Sequence, residues 1–484
     1  MPQIVGVTIT AMDQRDFLAE ILANPTAVEP RLVFADWLDE NGDPRGEFIQ
    51  VQCQLADLDL RDQRRIDLEY QLRDLWALYG DQWKSTATDG NKIENCKIEN
   101  GEFTRGMIES VTMQSDHFLN HHESLLYRFP LQGVRLLDPM RSLKRVAACP
   151  SLSKLSSLNL QGGDILPGEL KQFLQSPNLE NLNHIGISIQ GLGRNSIMLI
   201  ARSETLPNLR SLSLSPTDAD HRNLPALATS EVGRNLRRLS LRYSSIRDEE
   251  LRSLAYKDVF PNLESLDLSE NVVFFADAFQ EFAGSPRFCK LHNLSMQNCR
   301  LERLDVAFLG GLRLPSEMRT LNLDTARLHA ESAKNFAKSS LLHGLVELSA
   351  SGCEMTDQGL IALLFAGDMP LLRTLKLCRN DFTDVAAKAI ANWPESSHLT
   401  SLELSDNQIG DDGITAIAQS PHLANLNELN IGGNPISNHG IQALIQSETL
   451  SRITSLQISV DDPKLLEGLQ DRFGSHAVNG IRRS

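Results

Sequence analysis

From residue 155 onward the chain repeats one pattern of apolar positions, L-x-x-L-x-L, in which x is variable and other apolar residues sometimes replace leucine. The pattern begins at 155, 182, 209, 236, 263, 291, 318, 345, 372, 399, 426 and 453, and a degenerate unit begins at Leu131. Successive starts from 155 onward lie 27 residues apart, except that 263 and 291 are 28 apart. A fixed period of this size indicates a solenoid, in which each unit packs only on its neighbours.

Each unit is predicted to be a short strand, a turn and a helix. The period-two alternation in L-x-x-L-x-L directs the leucines inward and the intervening residues outward. An apolar residue eighteen positions after the first leucine marks the inner face of a helix packed behind the strand. About thirteen strands spaced roughly 4.8 Å apart form a sheet on the order of 60 Å across. The predicted fold is an α/β right-handed solenoid, a horseshoe with a parallel sheet inside and helices outside.

Two positions in the turns have structural roles. Position +8, counted from the first leucine of a unit, is Asn in the clearest units, and an amide there is expected to hydrogen-bond the buried turn backbone of adjacent units. Position +14 is Gly in three units, at the expected entrance to the helix. The asparagines are Asn271, Asn380, Asn407 and Asn434, and the glycines are Gly359, Gly413 and Gly440.

The units at Leu399–Ile414, with sequence LTSLELSDNQIGDDGI, and at Leu426–Ile441 resemble the ribonuclease-inhibitor class of leucine-rich repeats. Ran GTPase-activating proteins and Nod-like receptors share this class. The resemblance covers about residues 131–460 and implies the horseshoe fold. It implies no particular ligand.

Residues 1–101 are predicted to form a small domain of four helices, the last one running from Leu68 to Tyr79 and ending at Gly80. Residues 102–130 follow as an N-terminal cap. In it, Phe103–Met113 is expected to be a strand that covers the open edge of the first repeat. The repeats then occupy 131–460, and 461–484 form a C-terminal capping helix and tail, with the helix at Pro463–Phe473.

The N-terminal helices resemble the repeat-companion domain of planctomycete and some myxobacterial proteins. The resemblance rests on DFLAEILANP at Asp16–Pro25, RLVFADWLDENGDP at Arg31–Pro44, RGEFI at Arg45–Ile49, and FTRGMIE at Phe103–Glu109. In that family the domain precedes repeat arrays and has no biochemical activity attached to it. The resemblance implies a bacterial, planctomycete source.

Charge narrows the classes of partner. The net charge is −15, and residues 1–150 hold 16 Lys and Arg against 24 Asp and Glu. Nucleic acid and anionic membranes both require clustered cations, so neither is expected as a partner. The start of the chain lacks a signal-peptide pattern, and the seven cysteines include no C-x-x-C pair. A cytoplasmic, reduced and monomeric protein is therefore expected.

Sequence motifs for chemistry are incomplete. Asp39, Asn41 and Asp43 have the spacing of a calcium loop, but Pro44 stands where its glycine belongs and Gln50 where its glutamate belongs. The histidines at 117, 121 and 122 lack the glutamate of H-E-x-x-H, and the glycines at 191 and 193 lack both a third glycine and a phosphate-loop lysine. We therefore predict no catalytic residue, cofactor or metal, and a protein that is not an enzyme.

The predicted function is a protein-interaction scaffold that binds an unknown protein partner through the outward positions of the repeats. Those positions are basic in the early repeats and mostly acidic in the late ones, and they include no aromatic anchor. The alternative is an enzyme regulator such as a GTPase-activating protein, which would present Arg194, Arg242 or Arg379 to a nucleotide. The candidate binding residues are Arg210, Arg237, Arg238, Arg242, Asp267, Glu347, Lys376, Glu403, Asp406, Glu428 and Asn430.

Overall fold

The computed structural model describes residues 14–89, 98–139, 142–164, 167–190, 195–215, 221–255, 259–271, 278, 281–282, 285, 290–299 and 317–481. Within them a sheet of sixteen strands runs in chain order. The strands are β1 Asn100–Thr104, β2 Met107–Gln114, β3 Gly133–Leu137, β4 Ser157–Asp164, β5 His184–Gln190, β6 Ser211–Leu214, β7 Arg238–Ser240, β8 Ser265–Asp267, β9 Asn293–Ser295, β10 Thr320–Asn322, β11 Glu347–Ser349, β12 Thr374–Lys376, β13 Ser401–Glu403, β14 Glu428–Asn430, β15 Ser455–Ser459 and β16 Val478–Ile481.

The helices precede the sheet or alternate with its strands. Among the described helices, none combines the length and apolar character that crossing a membrane requires. They are α1 Gln14–Ala23, α2 Glu29–Glu40, α3 Arg45–Asp57, α4 Arg64–Asp89, α5 Ser115–Arg128, α6 Leu143–Ala148, α7 Pro167–Phe173, α8 Ser196–Ala201, α9 Leu224–Thr229, α10 Glu231–Asn235, α11 Asp248–Ala255, α12 Ala330–Phe336, α13 Thr356–Ala366, α14 Asp384–Ala391, α15 Asp411–Gln419, α16 Asn438–Ile445 and α17 Pro463–Phe473.

The strands of the repeats pair in parallel with the predicted register. Leu375 of β12 lies opposite Leu402 of β13, which in turn lies opposite Leu429 of β14, so equivalent positions of successive units are neighbours. These leucines are at most 1% exposed, and they belong to one core that extends from β2 to β16. The thirteen strands β3–β15 correspond to the thirteen predicted units. The predicted α/β solenoid is therefore confirmed.

The asparagines at position +8 link adjacent repeats, as predicted. Asn380 Nδ2 donates to the carbonyl of Ala350 in the preceding unit at 2.8 Å, and its Oδ1 accepts from the backbone N–H of Cys353 at 3.0 Å. Asn407 Oδ1 accepts from the N–H groups of Asn380 and Phe382 at 2.8 and 3.1 Å. Because these turns are buried, each side chain satisfies backbone groups that would otherwise lose their water.

Two of the three glycines at position +14, Gly413 and Gly440, make room for a carboxylate of the preceding repeat. Asp384 Oδ1 accepts hydrogen bonds from the N–H groups of Gly410 and Gly413 at 2.7 and 3.0 Å, at the first turn of α15. A Cβ added to Gly413 would lie 2.7 Å from that oxygen. Each such helix start is thus capped from the neighbouring unit, which favours an anion at the positive end of the helix.

Two expectations about the N-terminal region were wrong. Helix α4 does not end at Gly80 but continues to Asp89, because Gly80 packs beneath Trp76 and Trp83 extends the buried face. Residues 103–113 are not one strand but parts of a hairpin, β1 and β2, which turns at Arg105 and Gly106. Both turn residues have positive φ, 45° and 75°, as a tight hairpin turn requires.

At the C-terminal end the structure contains more than the predicted helix. Helix α17 spans Pro463–Phe473 as predicted, and Asp462 caps its first turn by accepting from the N–H of Lys464 at 2.9 Å. The chain then adds β16, which pairs in parallel with β15. The strand of the last repeat is thus paired along the side that the helix alone would have left open.

Candidate partner-binding surface

The outward positions of the strands form the surface on which the candidate residues lie. Positions +2 and +4 of each unit stand on either side of a buried leucine, so their side chains leave the sheet on the side opposite the helices. Position +1 lies at the N-terminal edge of this surface and positions +6 and +7 at its C-terminal edge. Every candidate residue lies within the described part of the chain, although the structure does not bring them into one cluster.

The four early arginines divide between the two edges of the sheet. Arg210 and Arg237 occupy position +1 of successive units, next to Arg238 at position +2 of β7. Arg237 pairs with Glu264 of the following unit. Arg242 lies at the opposite edge, 3.3 Å from Glu270, and its guanidinium lies 5.4 Å from the centre of the Tyr243 ring.

Sequence reasoning missed two basic residues of the early surface. Arg135 is exposed on β3, the strand of the degenerate first unit, and His184 lies half-buried on β5. His184 Nδ1 is 2.8 Å from Ser211 Oγ, and its Nε2 is 3.1 Å from Asn159 Oδ1. Burial, together with the cations Arg238 and Arg135, lowers the pKa of His184. The unit at 131 has a weak repeat pattern, which is why its arginine was not recognised as a surface position.

We call Arg135, Arg210, Arg237 and Arg238, with His184, the early basic surface. Within the described part of the chain, neither Arg135 nor Arg238 forms an ion pair. Asp267 of β8 lies at the far side of this surface, where it accepts from Ser240 Oγ at 3.0 Å. An exposed arginine without a carboxylate partner retains its full capacity to bind one.

Several late candidates contact residues of the neighbouring repeat. Lys376 Nζ lies 2.9 Å from Glu347 Oε1, and this bond raises the pKa of Lys376 although burial opposes the charge. Asp406 lies 3.3 Å from Arg379 at the C-terminal edge. Glu428 Oε2 accepts from Ser401 Oγ at 2.8 Å. The remaining late candidates, Glu403 and Asn430, occupy position +4 of β13 and β14.

The N-terminal helices cover part of this late surface. Residues 59–77, from the loop before α4 and from α4 itself, lie along the N-terminal edge of β10–β15, and we call this contact the seam. Asp59 pairs with Arg319 at 2.7 Å, and Arg61 pairs with Glu317 at 3.0 Å. Arg373 donates to the backbone carbonyl of Asp62 at 2.6 Å.

The seam continues to the last repeat. Arg73 Nε lies 3.3 Å from Glu428, and Arg452 Nη1 donates to Asp67 at 2.7 Å. The Arg452 guanidinium also lies 5.6 Å from the centre of the Tyr70 ring. Glu347 and Glu428 therefore line cavities under the helices. Among the described residues, the early basic surface forms no hydrogen bond or ion pair with these helices.

The same N-terminal helices are joined to the start of the sheet through a buried ion pair. Arg31 of α2 is fully buried and pairs with Glu109 of β2, which also accepts from Arg105 Nη2 at 2.7 Å. Met107 of β2 lies in the same apolar cluster as Phe34 of α2. The helical region therefore contacts both ends of the repeat array.

The incomplete motifs have local structural contacts. Asp43 pairs with Arg45 at 2.6 Å, and Asp39 accepts from Gln50 Nε2 at 3.0 Å. His122 Nδ1 lies 2.7 Å from Ser151 Oγ. Within the described residues no group of three or more His, Cys, Asp or Glu side chains is placed to hold a metal ion.

Two buried thiols and the candidate regulator arginines differ in accessibility. Burial raises the pKa of Cys299 and of Cys353 to about 12, which removes the thiolate that a nucleophile needs. Each of the two described regulator candidates lies 3.3 Å from a carboxylate, but the Arg379 side chain is 76% exposed and that of Arg242 40%, so Arg379 is the more accessible. Arg194 lies outside the described residues.

Comparisons with known proteins agree with the repeat pattern. Residues 395–418 and 422–444 match the leucine-rich-repeat family model. No curated protein sequence matches the chain significantly. Among solved structures, an internalin of Listeria monocytogenes is similar over 64% of this chain and 83% of its own, at 20% identity and a TM-score of 0.40. The tropomodulin C-terminal domain of Caenorhabditis elegans is similar over 30% and 92%, at 13% identity and a TM-score of 0.27.

The 27-residue period, the parallel register of β3–β15 and the family-model match together identify the fold as an α/β leucine-rich-repeat solenoid with an N-terminal helical region.

Proposed function

We propose that the chain is a non-enzymatic scaffold that binds a protein partner through the outward surface of its repeats. The observation that carries this proposal is the seam, where the late repeats already hold a helical segment of the chain itself. Two ion pairs of that contact join arginines at the N-terminal edge of the sheet to carboxylates of the bound segment, Arg319 to Asp59 and Arg452 to Asp67. Two others have the opposite polarity and join Arg61 and Arg73 of the segment to glutamates of the repeats. The early repeats offer the same kind of arginine and leave it uncovered.

The early basic surface is the preferred partner site within this proposal. Arg135, Arg237 and Arg238 are exposed there, and Arg237 has one carboxylate partner in Glu264. A partner segment carrying carboxylates would form ion pairs with these arginines. Most other outward positions are Ser, Thr or Asn, which form hydrogen bonds but few strong apolar contacts. We therefore expect electrostatic attraction to set the rate of association, and modest affinity that falls as salt rises.

A comparative capture experiment tests the site. The unmodified chain is used as bait beside Arg135→Glu/Arg238→Glu, and beside a control with two charge reversals on the outer helices α6 and α7, Lys144→Glu/Lys171→Glu. The proposal is supported if one protein is retained by the unmodified and control baits, is lost with the strand variant, and binds the purified chain directly in calorimetry. Equal capture by all three baits would exclude the early basic surface as the site.

The enzyme-regulator alternative rests on Arg379. Its side chain stands at the C-terminal edge of the sheet and its φ of 55° places it on a tight turn before Asn380. A stimulation assay with a panel of small GTPases tests this role. Faster GTP hydrolysis that Arg379→Ala abolishes would favour the regulator, since an arginine finger acts through its charge on the transferred phosphate.

The resemblance of residues 13–60 to a repeat-companion domain adds a structural role to the proposal. In this reading the domain at 1–101 covers the array that begins at 131, and the segment at 102–130 connects the two. We further propose a monomer in the bacterial cytoplasm. Cys53, Cys149, Cys299 and Cys353 are buried and form no disulfide, which supports a reducing compartment. Light scattering of the purified chain tests the monomer.

A further inference from the structure

The seam contains a cavity of about 400 Å³ between the N-terminal helices and the last repeats. Apolar side chains make most of its wall, with Phe48, Leu72, Trp76 and Phe103 contributed by the helical region and β1. The aromatic rings pack on one another, with centroids of Phe48 and Trp76 5.6 Å apart and of Trp76 and Phe103 5.7 Å apart. The opposite wall is polar and includes Ser455 of β15 and Glu428 of β14, whose carboxylate lies 3.3 Å from Arg73 Nε and leaves Nη1 of that arginine unpaired. A cavity of this size and lining is typical of small-molecule sites, which favour interfaces between structural units.

A second cavity, of about 180 Å³, follows along α4, and Arg73 lines both. Arg373 also lines the second cavity and is 4% exposed. Nη1 of Arg73 and Nη1 of Arg373 are both buried and have no hydrogen-bond partner. Burial lowers the pKa of the Arg373 guanidinium, with Glu69 the main opposing charge.

The carboxylates near the second cavity are already engaged. Glu69 pairs with Arg65 at 2.9 Å, and Glu347 pairs with Lys376 at 2.9 Å. The groups that still lack partners are therefore the Nη1 N–H donors of Arg73 and Arg373, and each of them lacks a hydrogen-bond acceptor. A buried donor without an acceptor is costly, and a charged one is costlier still.

We propose that the seam is a binding site for a small aromatic acid, with its ring system in the apolar cavity and its acidic group at Arg73 and Arg373. The flat rings of Phe48, Trp76 and Phe103 favour an aromatic body over a flexible chain, since aromatic pairs stack in defined geometries. A carboxylate or sulfonate supplies the acceptor oxygens that the two guanidinium groups lack. The ligand touches both the N-terminal helices and the last repeats, so its binding holds the seam closed.

Anilinonaphthalene sulfonate is a suitable probe, because it combines an aromatic body with one anionic group and becomes fluorescent in apolar sites. The neutral N-phenylnaphthylamine is the matched probe without the acid. We expect the folded chain to bind one sulfonate probe saturably, with energy transfer from tryptophan, and to bind the neutral probe about tenfold more weakly. The unliganded chain should also melt at a lower temperature than the chain with the sulfonate probe.

Two pairs of variants locate the site. Ala77→Phe fills the apolar cavity from α4, whereas Leu78→Phe places the same side chain at the neighbouring exposed position, 49% accessible. We expect Ala77→Phe to abolish binding of both probes and Leu78→Phe to leave it unchanged. Arg373→Met should weaken the sulfonate about tenfold without affecting the neutral probe, and Arg145→Met on the outer helix α6 should affect neither.

Circular dichroism confirms that each variant is folded before binding is measured. Arg73→Met repeats the Arg373 test from the helical side if Arg373→Met does not fold. The proposal is overturned if the folded chain shows no saturable binding, or if Ala77→Phe leaves binding intact. It is also overturned if sulfonate and neutral probes bind equally and neither arginine matters, because that result indicates an unspecific apolar patch.

Discussion

The buried ion pair between Arg31 and Glu109 allows an asymmetric test of how the N-terminal helices are attached to the sheet. Arg31 is fully buried, and Glu109 is its carboxylate partner. Nε and Nη1 of Arg31 have no hydrogen-bond partner, so loss of Glu109 leaves the guanidinium buried without a counterion. Loss of Arg31, in contrast, leaves Glu109 with its second partner, Arg105, at 2.7 Å. Glu109→Leu should therefore destabilise the protein more than Arg31→Met.

For this reason the two substitutions should lower the free energy of unfolding by different amounts. An uncompensated buried charge costs about 3–5 kcal/mol, which is the expected loss for Glu109→Leu. Removing one of two partners from a carboxylate costs about 1–3 kcal/mol, the expected loss for Arg31→Met. The double variant should lose less than the sum of the two, because Leu and Met leave no buried charge at the pair itself.

Urea denaturation followed by tryptophan fluorescence measures these losses. Three of the four tryptophans, Trp37, Trp76 and Trp83, lie in the N-terminal helices, so fluorescence reports mainly on that region. Circular dichroism reports on the whole solenoid and shows whether the repeats unfold in the same transition. Equal losses from the two single variants, or losses that add in the double variant, would refute the reasoning.

Three further outcomes are expected. Gly413→Ala should lower the free energy of unfolding, measured by urea denaturation, by about 1–2 kcal/mol, because its Cβ would overlap Asp384 and the better helix propensity of Ala offsets only part of the strain. In the control Gly432→Ala the Cβ would meet nothing closer than 3.6 Å, so the free energy of unfolding should change by less than about 0.5 kcal/mol. Burial opposes the charge of Asp411, but hydrogen bonds from Ser437 and the Gly440 N–H lower its pKa below 3.8. The ionised Asp411 should therefore stabilise the folded protein above pH 3.8, and this stabilisation should disappear as pH falls through the lowered pKa. Asp411→Asn should remove this part of the acid dependence of unfolding. Truncation after Val460 removes α17 and β16 and exposes the edge of β15, so light scattering should show aggregation, and a monomer with an unchanged melting temperature would contradict the capping role.

The sequence alone determined the repeat architecture. The leucine pattern fixes which face of each strand is buried, since side chains alternate along a strand, and its fixed period places equivalent residues side by side. The same regularity predicted that Asn380 and Asn407 bond the turns of adjacent units. These interactions join residues about one repeat apart, so a local pattern contains the information that they require.

Predictions from local sequence were wrong where contacts with a neighbouring element determine the backbone conformation. Gly80 has the residue type of a helix end, yet α4 continues because Trp76 and Trp83 find an apolar cluster with Phe48 and Phe103. The strand expected at 103–113 contains a turn because Arg105 adopts a positive φ that its residue type disfavours. In both cases packing or turn geometry outweighs the intrinsic preference of one residue.

The tertiary structure alone decided which candidate residues share a surface. Arg319 meets Asp59 across 260 residues of sequence, and Arg452 meets Asp67 across 385. The sequence shows where the arginines and carboxylates are along the chain, but it does not show which of them form pairs. The pairing depends on how far the repeat array curves and on where the N-terminal helices lie on it. The seam covers part of the late acidic surface and creates two cavities, whereas the early basic surface stays open. No periodic sequence pattern predicts the contacts of the seam, since each of them occurs only once among the described residues.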